Sequence, residues 1–142
     1  MIIRVMNEEK ANYCDDLLTK LILDERQYDE SIDPNVHVKD YFKNVIKDDK
    51  NILLCYEEDN SILGYIYLKY NNGEYIIDGL YVEKEYRNKG IAKKLINEGL
   101  NILKEKSIKY VNINVLRDNE IAYNLYKELG FNEFKVNLRK EI

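Results

Sequence analysis

YIIDGLYVEKEYRNKGIAKKLINEGLNILKEK, residues Tyr75 to Lys106, reads as a strand, a short basic turn with one glycine, and a long amphipathic helix. Ile76, Ile77, Leu80, Tyr81 and Val82 form a β-prone apolar run, and after Gly90 apolar residues recur at helical spacing: Ile91, Ala92, Leu95, Ile96, Leu100 and Leu103. A strand that feeds a loop and then opens a helix aims unpaired backbone N–H groups at one point, where the helix dipole adds partial positive charge. That point is an anion site. Gly90 has no Cβ to obstruct a ligand approaching the backbone, and Arg87, Lys89, Lys93 and Lys94 add charge, so a pyrophosphate is the natural guest. The stretch lacks the Gly-Lys-Ser/Thr of a P-loop and the three spaced glycines of a dinucleotide fingerprint. A plain strand-to-helix turn ringed by solvated lysines is the other use these residues allow.

Upstream of this stretch, the chain opens with a strand at Ile2 to Met6 and a helix from Glu8 to Arg26 that sets Tyr13, Leu17, Leu18, Leu21 and Ile22 on one side. An acidic loop with the only proline, Pro34, follows, and a second helix is expected over Val36 to Lys47, with Val38, Tyr41, Phe42, Val45 and Ile46 inward. Strands at Asn51–Glu57 and Ile62–Tyr70 form a hairpin across Glu58-Asp59-Asn60-Ser61, and Asn71-Asn72-Gly73 turns the chain into Tyr75–Val82. Downstream, a strand at Lys109 to Leu116 implies a parallel crossover. Arg117-Asp118-Asn119 starts a last helix capped by Gly130, and Phe131 begins a closing strand through Phe134, Val136 and Leu138.

With 142 residues the chain is long enough for one domain with a core of its own. It is 45% hydrophobic and 34% charged, a globular balance, and its net charge of −4 lends no support to nucleic-acid binding. Cys14 and Cys55 fall in a helical and a strand pattern and are expected to pack as small buried groups. No apolar run approaches a membrane span, and the N-terminus turns charged too soon for a signal peptide, so a cytoplasmic protein is expected. His, Cys and carboxylates do not cluster at ligand spacing, and no metal is expected.

Arg87-Asn88-Lys89-Gly90-Ile91-Ala92 resembles the Arg/Gln-x-x-Gly-x-Gly/Ala signature of the GNAT N-acetyltransferase superfamily. Asn119-x-x-Ala122-x-x-x-Tyr126-x-x-x-Gly130-Phe131 is similar to that family's other motif, at the expected distance from the first. The order β-α-α-β-β-β-α-β-α-β is likewise that of the GNAT fold. The resemblance implies an α/β (α+β) domain over residues 1–142, with a mixed sheet of about six or seven strands flanked by about four helices. It also implies acetyl-coenzyme A as cosubstrate and direct transfer of acetyl to a primary amine of a small molecule or peptide in a ternary complex, by a monomer or homodimer. A non-catalytic acyl-coenzyme A sensor of the same fold is the alternative.

By the same resemblance, Arg87, Asn88, Lys89, Gly90, Ile91 and Ala92 hold the pyrophosphate, and the backbone of Leu80, Tyr81 and Val82 pairs with the pantetheine arm and supplies the oxyanion donor. Tyr126 falls where the family places the tyrosine that protonates the departing sulfur; a phenol with an ordinary pKa of about 10 can do this at neutral pH. Its other use is as an amphipathic residue on a helix face. Asn119 either bonds the pantetheine arm or caps its helix. Asp78 is a carboxylate in an otherwise apolar strand, sharing a face with Leu80 and Val82 by alternation, and aligns with an acidic position that some family members use to bind the amine or relay its proton. The next position, acidic in polyamine-type relatives, is Gly79. His37, the only histidine, suits a surface or capping role. Asp24, Glu25, Asp29, Glu30 and Asp33 form an acidic rim that would attract a cationic amine or serve only as solvated charge.

Overall fold

Asp59 and Asn60, with φ of 50° and 65°, connect strand β2 (Ile52–Glu58) to β3 (Ser61–Asn71), and Asn72 and Gly73, at 51° and 86°, connect β3 to β4 (Glu74–Val82). Two-residue loops with both φ positive are type I′ turns, whose twist matches that of the strands they join. A long antiparallel meander follows from local sequence. In the computed structural model, which describes residues 1–142, β1 (Ile2–Arg4) extends the sheet beside β2 and β5 (Val111–Ile113) runs parallel to β4, in the order β1-β2-β3-β4-β5.

β2 and β3 are buried on both faces, so each divides its side chains between two cores. Ile52, Leu54, Ile66 and Leu68 face helix α3 (Ile91–Glu105), which contributes Ile91, Leu95, Ile96 and Leu103. Leu53, Cys55, Tyr65 and Tyr67 face helix α1 (Glu8–Glu25), which contributes Ala11, Cys14 and Leu17. Both cysteines are free and buried, as expected. The Asn7 side chain caps α1 by accepting from the Lys10 N–H at 2.9 Å.

The second helix is one turn, α2 (Phe42–Val45), rather than Val36 to Lys47. Asp40 has a φ of 60°, which no α-helix accommodates, and the preceding residues run in irregular backbone. The turn is fixed instead from α1: the buried Asp15 carboxylate accepts the Phe42 N–H at 2.9 Å, seating the fully buried Phe42 ring against Tyr65 and Tyr67. Asp15→Ala is therefore expected to lower stability by about 1–3 kcal/mol, because a buried N–H loses its acceptor. Urea unfolding with an unchanged m-value checks this; stability equal to the wild type would mean that α2 is held otherwise.

The sheet has five strands, not six or seven. No closing strand forms at Phe131 to Leu138: Phe134, Val136 and Leu138 are exposed, and the segment makes no backbone ladder. A strand exists only where another strand's edge receives it, and β5 is too short to offer one. The tail is held by side chains, Glu133 accepting from Tyr123 at 2.9 Å and Arg139 pairing with Asp29 at 2.8 Å. Helix α4 (Glu120–Glu128) ends as expected at Gly130, φ 95°, where the Phe131 N–H bonds the Tyr126 carbonyl at 3.0 Å. No helix is long and apolar enough to cross a membrane.

Candidate active site

β5 pairs with β4 only at Tyr75, Ile76 and Ile77. The expected Lys109–Leu116 strand shortens to Val111–Ile113, and β4 runs on to Val82 with β3 as its sole partner. From Asp78 to Val82 one edge of β4 is open, and an extended chain bearing amides could add there as a further strand. Leu80, Tyr81 and Val82 lie on this open edge, with Tyr81 and Val82 buried and Leu80 half-buried.

The edge leads into a 3-10 turn (Lys84–Tyr86) and the loop that opens α3. Asn88 and Gly90 adopt left-handed φ of 64° and 80°, so the loop reverses twice before the helix begins. The backbone N–H groups of Asn88, Lys89, Gly90, Ile91, Ala92 and Lys93 donate to no acceptor in the protein. This run of free amides at the positive end of a helix is an anion cradle, and a Cβ built on Gly90 meets nothing within 4 Å, so the space before it is open.

The basic side chains contribute less than their number suggests. Arg87 donates to the Val82 carbonyl at 2.8 Å and to Asp24 at 3.1 Å, with its guanidinium 5.2 Å from the Tyr81 ring centre. Lys93 is paired with Glu128 on α4 at 2.6 Å. Lys89 and Lys94 lie over the rings of Tyr86 and Tyr56 and have no carboxylate partner. Attraction for an anion thus comes chiefly from the backbone, while Arg87 braces the loop against β4 and α1.

Tyr126, on α4, packs edge-on against Phe131 with ring centres 6.0 Å apart. Burial, with the Glu25 carboxylate second, pushes its phenol up to about 12. Asn119 caps α4: its side chain accepts from the Ala122 N–H at 3.2 Å. His37 is exposed on the α1–α2 connection.

Asp78 does not share a face with Leu80 and Val82. Tyr67 pairs with Gly79 and Leu68 with Ile77, so Asp78 is the extra residue of a β-bulge, and alternation changes sense there. Leu80 and Val82 pack toward α3, whereas the Asp78 charge acts on Tyr41, Tyr65 and Tyr67 of the α1 side. Gly79 is required beside it, since a Cβ there would come 2.6 Å from the Tyr65 hydroxyl.

Glu25 belongs to this group and not to the rim alone. It is half-buried at the end of α1, its carboxyl is raised by burial and then by Asp29, and its charge reaches Tyr65 and Tyr126. A sequence signal existed: Cys14, Leu18, Leu21 and Glu25 continue one helical stripe, and a carboxylate closing an apolar stripe is as anomalous as Asp78 in its strand. The Tyr65 hydroxyl is buried with no hydrogen-bond partner, a cost of about 1–3 kcal/mol. Burial, followed by Cys14, Asp78 and Glu25, raises its pKa.

Comparison with known proteins bears on this arrangement. The family model described as "Acetyltransferase (GNAT) family" matches residues 16–131. The tetramutant of the BH1408 protein from Bacillus halodurans superposes with a TM-score of 0.83 at 16% identity, over 100% of this chain and 99% of that one. A possible acetyltransferase from Clostridium difficile 630 gives 0.77 at 22% identity, over 100% and 96%. The aminoglycoside N-acetyltransferase AAC(6')-Iy, in complex with coenzyme A, gives 0.71 at 18% identity, over 100% of both chains. No curated protein matches by sequence.

Proposed function

The chain belongs to the acetyltransferase (GNAT) family, and on that premise we propose that it transfers acetyl from acetyl-coenzyme A directly to a primary amine in a ternary complex. The observation that carries this reading is the run of free amides from Asn88 to Lys93 at the end of the open edge of β4. The amides suit the pyrophosphate of coenzyme A, with Gly90, Ile91 and Ala92 closest to the helix start. The open edge at Leu80, Tyr81 and Val82 suits the pantetheine arm, and its backbone N–H groups suit the thioester oxygen as charge develops on it.

Tyr126 is the acid. Its phenol stays protonated across the neutral range, and it donates to the sulfur as the C–S bond breaks. Asp78 is the acceptor-side carboxylate, set by its bulge on the α1 face to bind the amine or take its proton through water. Asn119 serves by capping α4, which holds the turn that carries Tyr126.

Calorimetric titration with acetyl-coenzyme A, against ATP and NAD, tests the reading, followed by thiol release across an amine panel. Selective micromolar binding and acceptor-dependent thiol release are expected; folded protein that binds no coenzyme A would overturn it. Turnover is expected to fall toward low pH, where the acceptor stays protonated, and a flat profile would count against base assistance.

A further inference from the structure

We propose that the C-terminal tail is a dimerisation arm: Glu133 to Arg139 of one chain pairs antiparallel with the same segment of a second copy, about a twofold axis through Val136. This goes beyond the transfer reading and does not depend on it. The tail has the pattern of a strand and no ladder. Phe134, Val136 and Leu138 alternate with Lys135 and Asn137, and from Asn132 onward the main chain enters no backbone hydrogen bond. The three apolar side chains are 82%, 83% and 89% exposed, a bare stripe on one side of the segment.

Both ends of the arm are fastened to its own chain. Glu133 accepts from Tyr123 at 2.9 Å, and Arg139 donates to Asp29 and to Ser31 at 2.8 Å and 3.2 Å. The stretch between them is thus held in place before any partner arrives, which lowers the ordering cost of pairing. Each anchor also leaves capacity free, since the Tyr123 bond uses only Oε1 of Glu133 and the Asp29 and Ser31 bonds only Nη1 of Arg139.

The sequence is complementary to itself in one antiparallel register. Slipping that register by one residue sets Phe134 against Asn137 and divides the apolar side chains between the two faces of the ribbon. Of the registers that keep them on one face, an axis at Lys135 sets Lys135 against its own copy and Leu138 against Asn132. An axis at Asn137 sets Lys135 against Arg139 and Glu133 against Glu141, both of like charge. With the axis at Val136, Phe134 faces Leu138 and Val136 faces itself on one side, while Glu133 faces Arg139 and Lys135 faces Asn137 on the other. Apolar meets apolar, and the free Glu133 and Arg139 atoms form a charge-assisted pair twice over. A two-stranded ribbon is marginal alone, so the dimer is expected to depend on concentration. The helix to which the arm is fastened also bears an exposed Ile121, further apolar surface for the interface.

Sedimentation velocity of the full chain, from micromolar concentration upward, is expected to show mass moving from one chain to two. Val136→Asp and Val136→Lys each set a charge against its own copy, and each should weaken the dimer by roughly tenfold or more. Circular dichroism of both should match the wild type, because Val136 is exposed in its own chain. An equimolar mixture of the two variants should dimerise again, the introduced charges then being opposite, which a mere defect in the tail would not restore. A wild-type chain that stays monomeric at high concentration, a dimer that both single variants leave intact, or a mixture no more associated than its components would each overturn the pairing at Val136.

Discussion

Gly90→Glu is expected to abolish acetyl-coenzyme A binding in the calorimeter while leaving a cooperatively folded protein. Two effects act at this position and they separate. Gly90 has φ of 80°, so any side chain there is strained, at about 1–2 kcal/mol. A Cβ meets no protein atom within 4 Å, so no clash adds to the strain, and the new side chain enters the space in front of the free amides. A carboxylate there competes for those N–H groups and repels a pyrophosphate, for a loss of about 3 kcal/mol or more, which is two orders of magnitude in affinity. Gly90→Ala carries the strain without the charge and should weaken binding by much less. Full affinity in the glutamate variant would mean that the anion is held somewhere other than the α3 start.

The salt dependence of binding reports on the same site. Because Arg87 and Lys93 are committed to Asp24 and Glu128, few free side-chain charges face the cradle, and the contribution of backbone amides is less screened than that of mobile lysines. The family signature places a basic residue at the head of the loop, and in this chain Arg87 acts by fixing the loop's shape. It joins the Val82 carbonyl, the Tyr81 ring and α1 into one brace. The loop is thereby tied to Asp24, the residue next to Glu25.

Elements whose pattern is local were legible in the sequence, and elements that depend on a partner were not. The stripe Ile91, Leu95, Ile96 and Leu103 defines α3 without reference to the rest of the chain, and two I′ turns announce themselves in Asp59-Asn60 and Asn72-Gly73. Phe134, Val136 and Leu138 alternate like a strand, yet alternation cannot supply a neighbouring edge, and the segment stays unpaired. Asp40 keeps the second helix from beginning before Phe42, by a backbone choice that aspartate permits but does not advertise.

The site divides along the same line. The loop from Arg87 to Ala92 and the position of Tyr126 were visible as motifs. The orientation of Asp78 was not, because parity along β4 holds only until the bulge, and nothing in Ile77-Asp78-Gly79 reveals that two residues oppose one step of β3. Glu25 was hidden by its company: among five acidic residues it looked like solvated rim, and only the packing of α1 against β3 and β4 separates it from Asp24 and Asp29.

Tyr126→Phe is expected to lower kcat by about a hundredfold, the middle of the range for a positioned general acid, with acetyl-coenzyme A affinity nearly unchanged. The variant keeps the ring that packs against Phe131, so α4 and the Gly130 turn should persist. What it loses is the phenol proton. With the wild-type phenol pushed up to about 12, that proton is present throughout any practical assay range, and Tyr126 should impose no basic limb on the pH profile. The sign of the shift also fixes a stability effect: the raised pKa favours folding while the unfolded phenol remains protonated, below about pH 10, and this contribution fades as pH rises toward 12. A sensor that only binds acyl-coenzyme A would tolerate the substitution without functional loss, and so would an enzyme whose thiolate takes its proton from water. Unchanged turnover would therefore remove Tyr126 as the acid, whereas a fall in kcat with intact affinity would place the lost interaction in the transition state rather than in cofactor binding.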